Sequence, residues 1–231
     1  MKKIISLLLL MMITMLCKAQ SIEVKYSVYS KQRKEQIDKI MRNPNNQEHN
    51  GLFAGLNIEK EDSFCLVVKN RQSSYVRLEP DEDLREGGGV KIILVNASYS
   101  EEDHAVYKDL SNRTIVEVRD LLAEAYIIEK TAPQYSWKLS SDSKDIMGLK
   151  CYRAVLNDTV TAWFCPEIPI SEGPDLYWGL PGLILDLEDN RNIYRCISID
   201  TNSRSELAGK KHGKKVSAER FEEIKKLALE R

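Results

Sequence analysis

From residue 90 to residue 200 the chain is cut into short runs of alternating apolar and polar residues, and no stretch with a helical pattern separates them. The runs fall at 90–95, 104–107, 114–118, 124–129, 136–139, 149–156, 160–164, 183–187 and 193–200. A period of two puts alternate side chains on opposite faces, so each run suits a strand with one buried face. Parallel strands need crossovers, usually helical, and no helix separates these runs. The pattern therefore predicts a mainly β fold (α+β), a large curved antiparallel sheet or meander. Upstream, Ile22-Glu-Val-Lys-Tyr-Ser-Val28 alternates in the same way, and 52–58 and 63–69 flank the charged turn Glu59-Lys-Glu-Asp62. Residues 31–42 read as a polar helix after the first strand, closed by Asn43-Pro-Asn-Asn46. The acidic stretch 77–89, ending in three glycines, reads as a loop. Residues 209–215 read as a basic, solvated linker. Ser217 can then cap a last helix whose apolar stripe is Phe221, Ile224, Leu227 and Leu229.

One hairpin can be registered from its side chains. Runs 149–156 and 160–164 flank Asn157-Asp-Thr159. A three-residue loop pairs Leu156 with Val160, Ala154 with Ala162 and Tyr152 with Phe164, giving one wholly apolar face, whereas a two-residue turn mixes the faces. The same register sets Arg153 beside Trp163 as a cation–π pair and Cys151 opposite Cys165.

After Phe164 the composition changes. Four of the chain's seven prolines and three of its eleven glycines lie in residues 162–187. Proline cannot donate to a ladder, so the chain leaves the sheet here, and Leu180-Pro-Gly-Leu183 predicts a type II turn. Aromatic side chains Tyr177 and Trp178 follow Gly173-Pro174. With Trp163, Leu180 and Pro181 they are the candidate binding residues, the lip of a groove on a rigid sheet; the competing expectation is that they cap the core.

Gly179-Leu-Pro-Gly-Leu-Ile184 is the hexapeptide that names the GLPGLI family of exported Bacteroidetes proteins, and the chain resembles that family in further blocks. Trp137-Lys138, Asp145-Ile146, Gly148-Leu-Lys-Cys151, Ala162-Trp163, Pro166-Glu-Ile-Pro-Ile170 and Gly173-Pro174 occur in the same order, covering roughly residues 104–200. Cys165 stands where the family carries a threonine-like residue. The resemblance implies export, a periplasmic or outer-surface location and a β-rich domain. It implies no activity and no catalytic residue.

Export is also what the N-terminus predicts. Lys2 and Lys3 precede an apolar run to Leu16, and Cys17 and Ala19 are the small residues at cleavage spacing. Cleavage is expected after Ala19, leaving residues 20–231 as one β-rich domain without a membrane span, in the periplasm or outside the cell. Bulky Leu16 disfavours the alternative of a lipidated Cys17. The leader takes three of the 34 basic residues and none of the 35 acidic ones, so the mature balance is −4. Nucleic acid is not an expected partner.

Oxidising conditions make the four remaining cysteines candidates for disulfides. The hairpin register favours Cys151–Cys165, which leaves Cys65–Cys196; the other connectivities stay open. His49, His104 and His212 are scattered and read as solvated. Metal-ligand spacing, a phosphate loop and a nucleophile with its base are missing, so no cofactor, metal or catalytic residue is expected. Asp158-Thr159-Val160 resembles an O-glycosylation acceptor of this phylum, at the hairpin loop. The expected role is a non-catalytic binding or accessory module for an envelope protein. Its rivals are a carrier of a small apolar ligand such as a lipid, and a hydrolase using acids among Glu167, Glu172, Asp175, Asp186, Glu188 and Asp189.

Overall fold

The computed structural model describes residues 21–31, 34–35, 61–78, 104–121, 123–209 and 212–229. The leader, His49, the runs 52–58 and 90–95 and nearly all of the expected helix over 31–42 lie outside them. Among the described residues twelve strands form one open sheet: β1 (Ser21–Ser30), β2 (Asp62–Lys69), β3 (Gln72–Arg77), β4 (Ala105–Asp109), β5 (Thr114–Leu121), β6 (Glu124–Thr131), β7 (Lys138–Ile146), β8 (Leu149–Leu156), β9 (Val160–Cys165), β10 (Leu183–Glu188), β11 (Asn192–Ser203) and β12 (Lys214–Val216). A helix, α1, spans Ala218–Leu229. The spatial order is β12-β6-β5-β4-β3-β2-β1-β11-β10-β9-β8-β7. Two antiparallel meanders, β1 to β6 and β7 to β11, thus meet where β1 pairs with β11.

Connector lengths show how far the sheet curls. Residues 132–137 join β6 to β7, which stand ten strand spacings apart. A flat sheet would separate those strands by about 48 Å, but seven extended residue steps reach only about 25 Å. The sheet must therefore fold over on itself, and its inner face holds the main core. Val24, Tyr26 and Val28 of β1, Phe64 and Leu66 of β2, Tyr75 of β3 and Ala162 and Phe164 of β9 meet there.

The expected antiparallel sheet is in fact mixed, because β12 pairs with β6 in parallel. Residues 204–209 form a strap across the outer face, and the solvated linker expected over 209–215 starts at its end and runs into β12 at Lys214 and Lys215. Ser205 Oγ donates to Glu23, Lys69 pairs with Glu206 at 2.7 Å, the Ala208 amide donates to Ser74 Oγ at 2.9 Å and the Tyr107 hydroxyl donates to the Gly209 carbonyl at 2.7 Å.

Helix α1 begins as the sequence predicts, with Ser217 Oγ accepting the Arg220 amide at 3.2 Å. Its stripe is Phe221, Ile224 and Ala228, packed on Leu121, Tyr126 and Ile128. Leu227, expected on that stripe, is 58% exposed, since it lies off the three-and-seven spacing that faces the sheet. Strand β3 was hidden in the sequence because Gln72-Ser-Ser-Tyr-Val-Arg77 carries only two apolar residues. The loop expected over 77–89 begins one residue too early, for Arg77 ends that strand.

Candidate functional site

Hairpin β8–β9 has the predicted register: Leu156 pairs with Val160, Ala154 with Ala162, Arg153 with Trp163 and Tyr152 with Phe164. Two neighbours of Trp163 differ from expectation. Its cation is Lys144, 4.6 Å from the ring centre, while Arg153 turns to Asp142 at 3.3 Å. Lys144 reaches the ring from β7 because Asp186 holds its amine at 2.6 Å.

Between β9 and β10 the proline-rich stretch leaves the ladder and packs into the core through Ile168 and Leu180. What it covers is an unexpected charge cluster. The inner face of β4 and β5 alternates apolar with ionisable residues: Val106 with Lys108, and Ile115 with Glu117 and Arg119. Lys108 is sealed from solvent, its amine 2.8 Å from Glu172 and donating to the Gly173 carbonyl at 3.0 Å and the Tyr177 carbonyl at 3.3 Å. His104 Nε2 lies 2.7 Å from Asp175, whose other oxygen accepts the Tyr194 hydroxyl at 3.1 Å. Tyr177 donates to Asp189 at 2.9 Å. Glu117 takes Lys130 and Arg119. Buried charges are tolerated only when paired in this way.

The electrostatics follow from that pairing. Burial alone would raise the Asp175 carboxyl, but His104, with Arg119 and Arg191, outweighs it and holds the group well below the usual carboxylate range. Burial likewise opposes ionisation of Glu117, and Arg119 and Lys130 overcome it. A general acid needs a raised pKa, and these two carboxyls have the reverse. Tyr177 and Tyr194 are pushed upward by burial and then by the carboxylates beside them, and so stay protonated donors.

Of the five candidate binding residues, the structure brings Tyr177 and Trp178 together. They join Tyr135 and Trp137 of the 132–137 connector, with ring centres 6.1–6.4 Å apart. Trp137 Nε1 donates to the Trp178 carbonyl at 2.9 Å. All four rings are half-buried, Leu180 is buried and Pro181 is exposed nearby in the chain. Trp163 stands apart, on the outer-face side of β9 with Lys144. The sequence reading missed Tyr135, Trp137, His104 and Lys108. The signal available was Lys108 at an inward-alternating position; His104, expected in solvent, is 7% exposed. Thr159 is exposed at the β8–β9 loop, as an attached glycan would require.

Among the described residues the cysteines are four buried free thiols, and neither expected bridge is formed. Cys65 pairs with Lys25 on one side of β1, and Cys196 with Tyr26 on the other. They therefore sit on opposite faces with a strand between them, about 9–10 Å apart, too far to bridge. Cys151 and Cys165 stand one step beyond the Tyr152–Phe164 pair of the β8–β9 ladder; burial pushes the Cys151 thiol up to about 12, with Cys165 adding to it.

The Leu180-Pro-Gly-Leu183 turn also departs from expectation. Gly182 is not left-handed, as a type II turn demands; Gly179 is, at φ 96°. Glycine is needed at 182 for a different reason, since a Cβ there would lie 2.2 Å from the Cys165 carbonyl oxygen.

Among the described residues no three metal-binding side chains converge, and no helix is long and apolar enough to cross a membrane. A family model described as a protein of unknown function (Porph_ging) matches residues 156–186, from the end of β8 into β10. No curated protein matches the chain. Solved structures of PNGF-II in space groups P21 and C2 are similar in fold, each with a TM-score of 0.55 at 12% identity over 91% of this chain. The match takes up 34% and 33% of those chains, so this chain spans about a third of their length.

Proposed function

We propose that the protein is exported, belongs with the GLPGLI-type envelope proteins and serves as a non-catalytic binding or accessory module, a single domain after cleavage behind Ala19. Its partner is an envelope protein in the periplasm or at the surface, met by the rim of Tyr135, Trp137, Tyr177 and Trp178. One observation carries the non-catalytic reading: four of the six candidate acids are engaged in structure. Glu172 is spent on Lys108, Asp175 on His104, Asp186 on Lys144 and Asp189 on Tyr177. The rigid seat this gives the aromatic rim favours recognition over turnover. Use of the same fold as about a third of longer chains supports a module role. The carrier reading is less favoured, because Ile168 and Leu180 of the segment pack into the inner face where an apolar ligand would sit.

Native mass spectrometry of the protein recovered from the periplasm tests this. The expected result is a bound envelope protein that is lost in W137A/W178A and retained in W163A. A co-purifying lipid that both variants keep would favour the carrier instead. Recovery of the intact Met1 end in the cytosol would overturn export.

A further inference from the structure

We infer that Cys151 and Cys165 form a reversible disulfide that clamps the root of the 166–182 segment. The β8–β9 ladder carries Tyr152 opposite Phe164, so the next step sets Cys151 directly opposite Cys165. Directly opposed antiparallel residues have Cα atoms about 4.5 or 5.5 Å apart, within the range a disulfide spans. Both residues are fully buried, and after burial Cys165 is the largest cause of the upward shift of the Cys151 thiol.

Position gives the pair its consequence. Cys165 is the last residue of β9, and the segment departs at Pro166. Its carbonyl accepts the Ile168 amide at 3.2 Å, and Gly182, where the segment returns, packs on the same carbonyl. Cys165 also pairs with Leu183, the first residue of β10. Both ends of the segment therefore rest on one residue, which the bridge would tie to β8.

The reaction is thiol–disulfide exchange. A thiolate of one cysteine attacks an external disulfide, and the second cysteine displaces the mixed disulfide. The S–S bond formed within the chain is balanced by the external disulfide reduced to two thiols, with the protons of Cys151 and Cys165 transferred to them. The biological oxidant is a disulfide of the oxidising compartment, so the physiological role rests on the export reading. With both thiols sealed, the bridge closes during folding or when the segment lifts, and reductants reach it only by the same opening.

The test is to refold the full chain in glutathione buffers of graded redox poise, followed by non-reducing peptide mapping and amide hydrogen exchange. The expected product is a Cys151–Cys165 linked peptide with Cys65 and Cys196 open to alkylation after unfolding. Exchange at the Ile168, Leu183 and Ile184 amides should slow several-fold on oxidation. The C65S/C196S variant should behave identically, and C151S/C165S should lose the redox dependence. A bridge to Cys65 or Cys196, the absence of any bridge, or a bridge without an exchange effect overturns the inference. Because the bridge is tested in vitro, cytosolic recovery of Met1 would sink the export reading and leave the clamp intact.

Discussion

The Lys108 amine lies 2.8 Å from the Glu172 carboxylate, with 0% and 3% of the two side chains exposed. The contact is electrostatic, because the Lys108 donors point to the carbonyls of Gly173 and Tyr177 and no hydrogen bond aligns with either Glu172 oxygen. It links β4 to a segment 64 residues further along the chain, across the inside of the curled sheet. Removing one partner strands a buried charge, which costs roughly 3–5 kcal/mol. K108M should therefore unfold at markedly lower denaturant than the parent, and K108M/E172M should recover much of the loss. A double variant no more stable than K108M, by urea unfolding, would show that the pair is not coupled.

Asp175 sets the response to acid. Its folded-state pKa is depressed, so the unfolded chain binds more protons between the two values and stability falls as pH drops through that interval. The Asp175 contribution is fully present above its unfolded pKa of about 4 and is lost only in strong acid. In D175N that dependence disappears. Denaturant unfolding at stepped pH should therefore show the gap between parent and D175N narrowing below pH of about 4. A constant gap down to strong acid would rule out an ionised Asp175.

Gly182 and Gly148 separate crowding from backbone strain. Alanine at 182 would drive a Cβ into the Cys165 backbone, which a strand in mid-sheet cannot yield, and should cost more than about 3 kcal/mol or prevent folding. Gly148 is left-handed at φ 79° with open space around it, so G148A should cost only about 1 kcal/mol. Thermal unfolding decides between them; equal losses would refute the close approach at 182.

Docking of α1 depends on one ring. Phe221 is 6% exposed and packs on Tyr126 with ring centres 5.5 Å apart, whereas Leu227 is 58% exposed. F221A should cost about 3–5 kcal/mol and L227A under about 0.5 kcal/mol. S217A, which removes the cap, should cost about 1 kcal/mol. Loss of helical circular dichroism ahead of global unfolding in F221A would show the helix detaching by itself.

Local physics made much of this protein readable in its sequence. Alternation of Tyr152, Ala154 and Leu156 against Val160, Ala162 and Phe164 admits one hairpin register, and Ser217 ahead of an apolar stripe admits one helix start. Residues that answer to neighbours a few positions away carry that information in their spacing. Tertiary structure alone decided the rest. Whether Lys108 and His104 face water or Glu172 and Asp175 depends on how far the sheet curls. That curl is set by the 132–137 connector and by the segment filling the concavity. Cys65 and Cys196 were separated by the face each strand presents, and Gly182 was required by a carbonyl seventeen residues earlier. None of these leaves a period in the sequence, because each arises from two stretches of chain meeting in space.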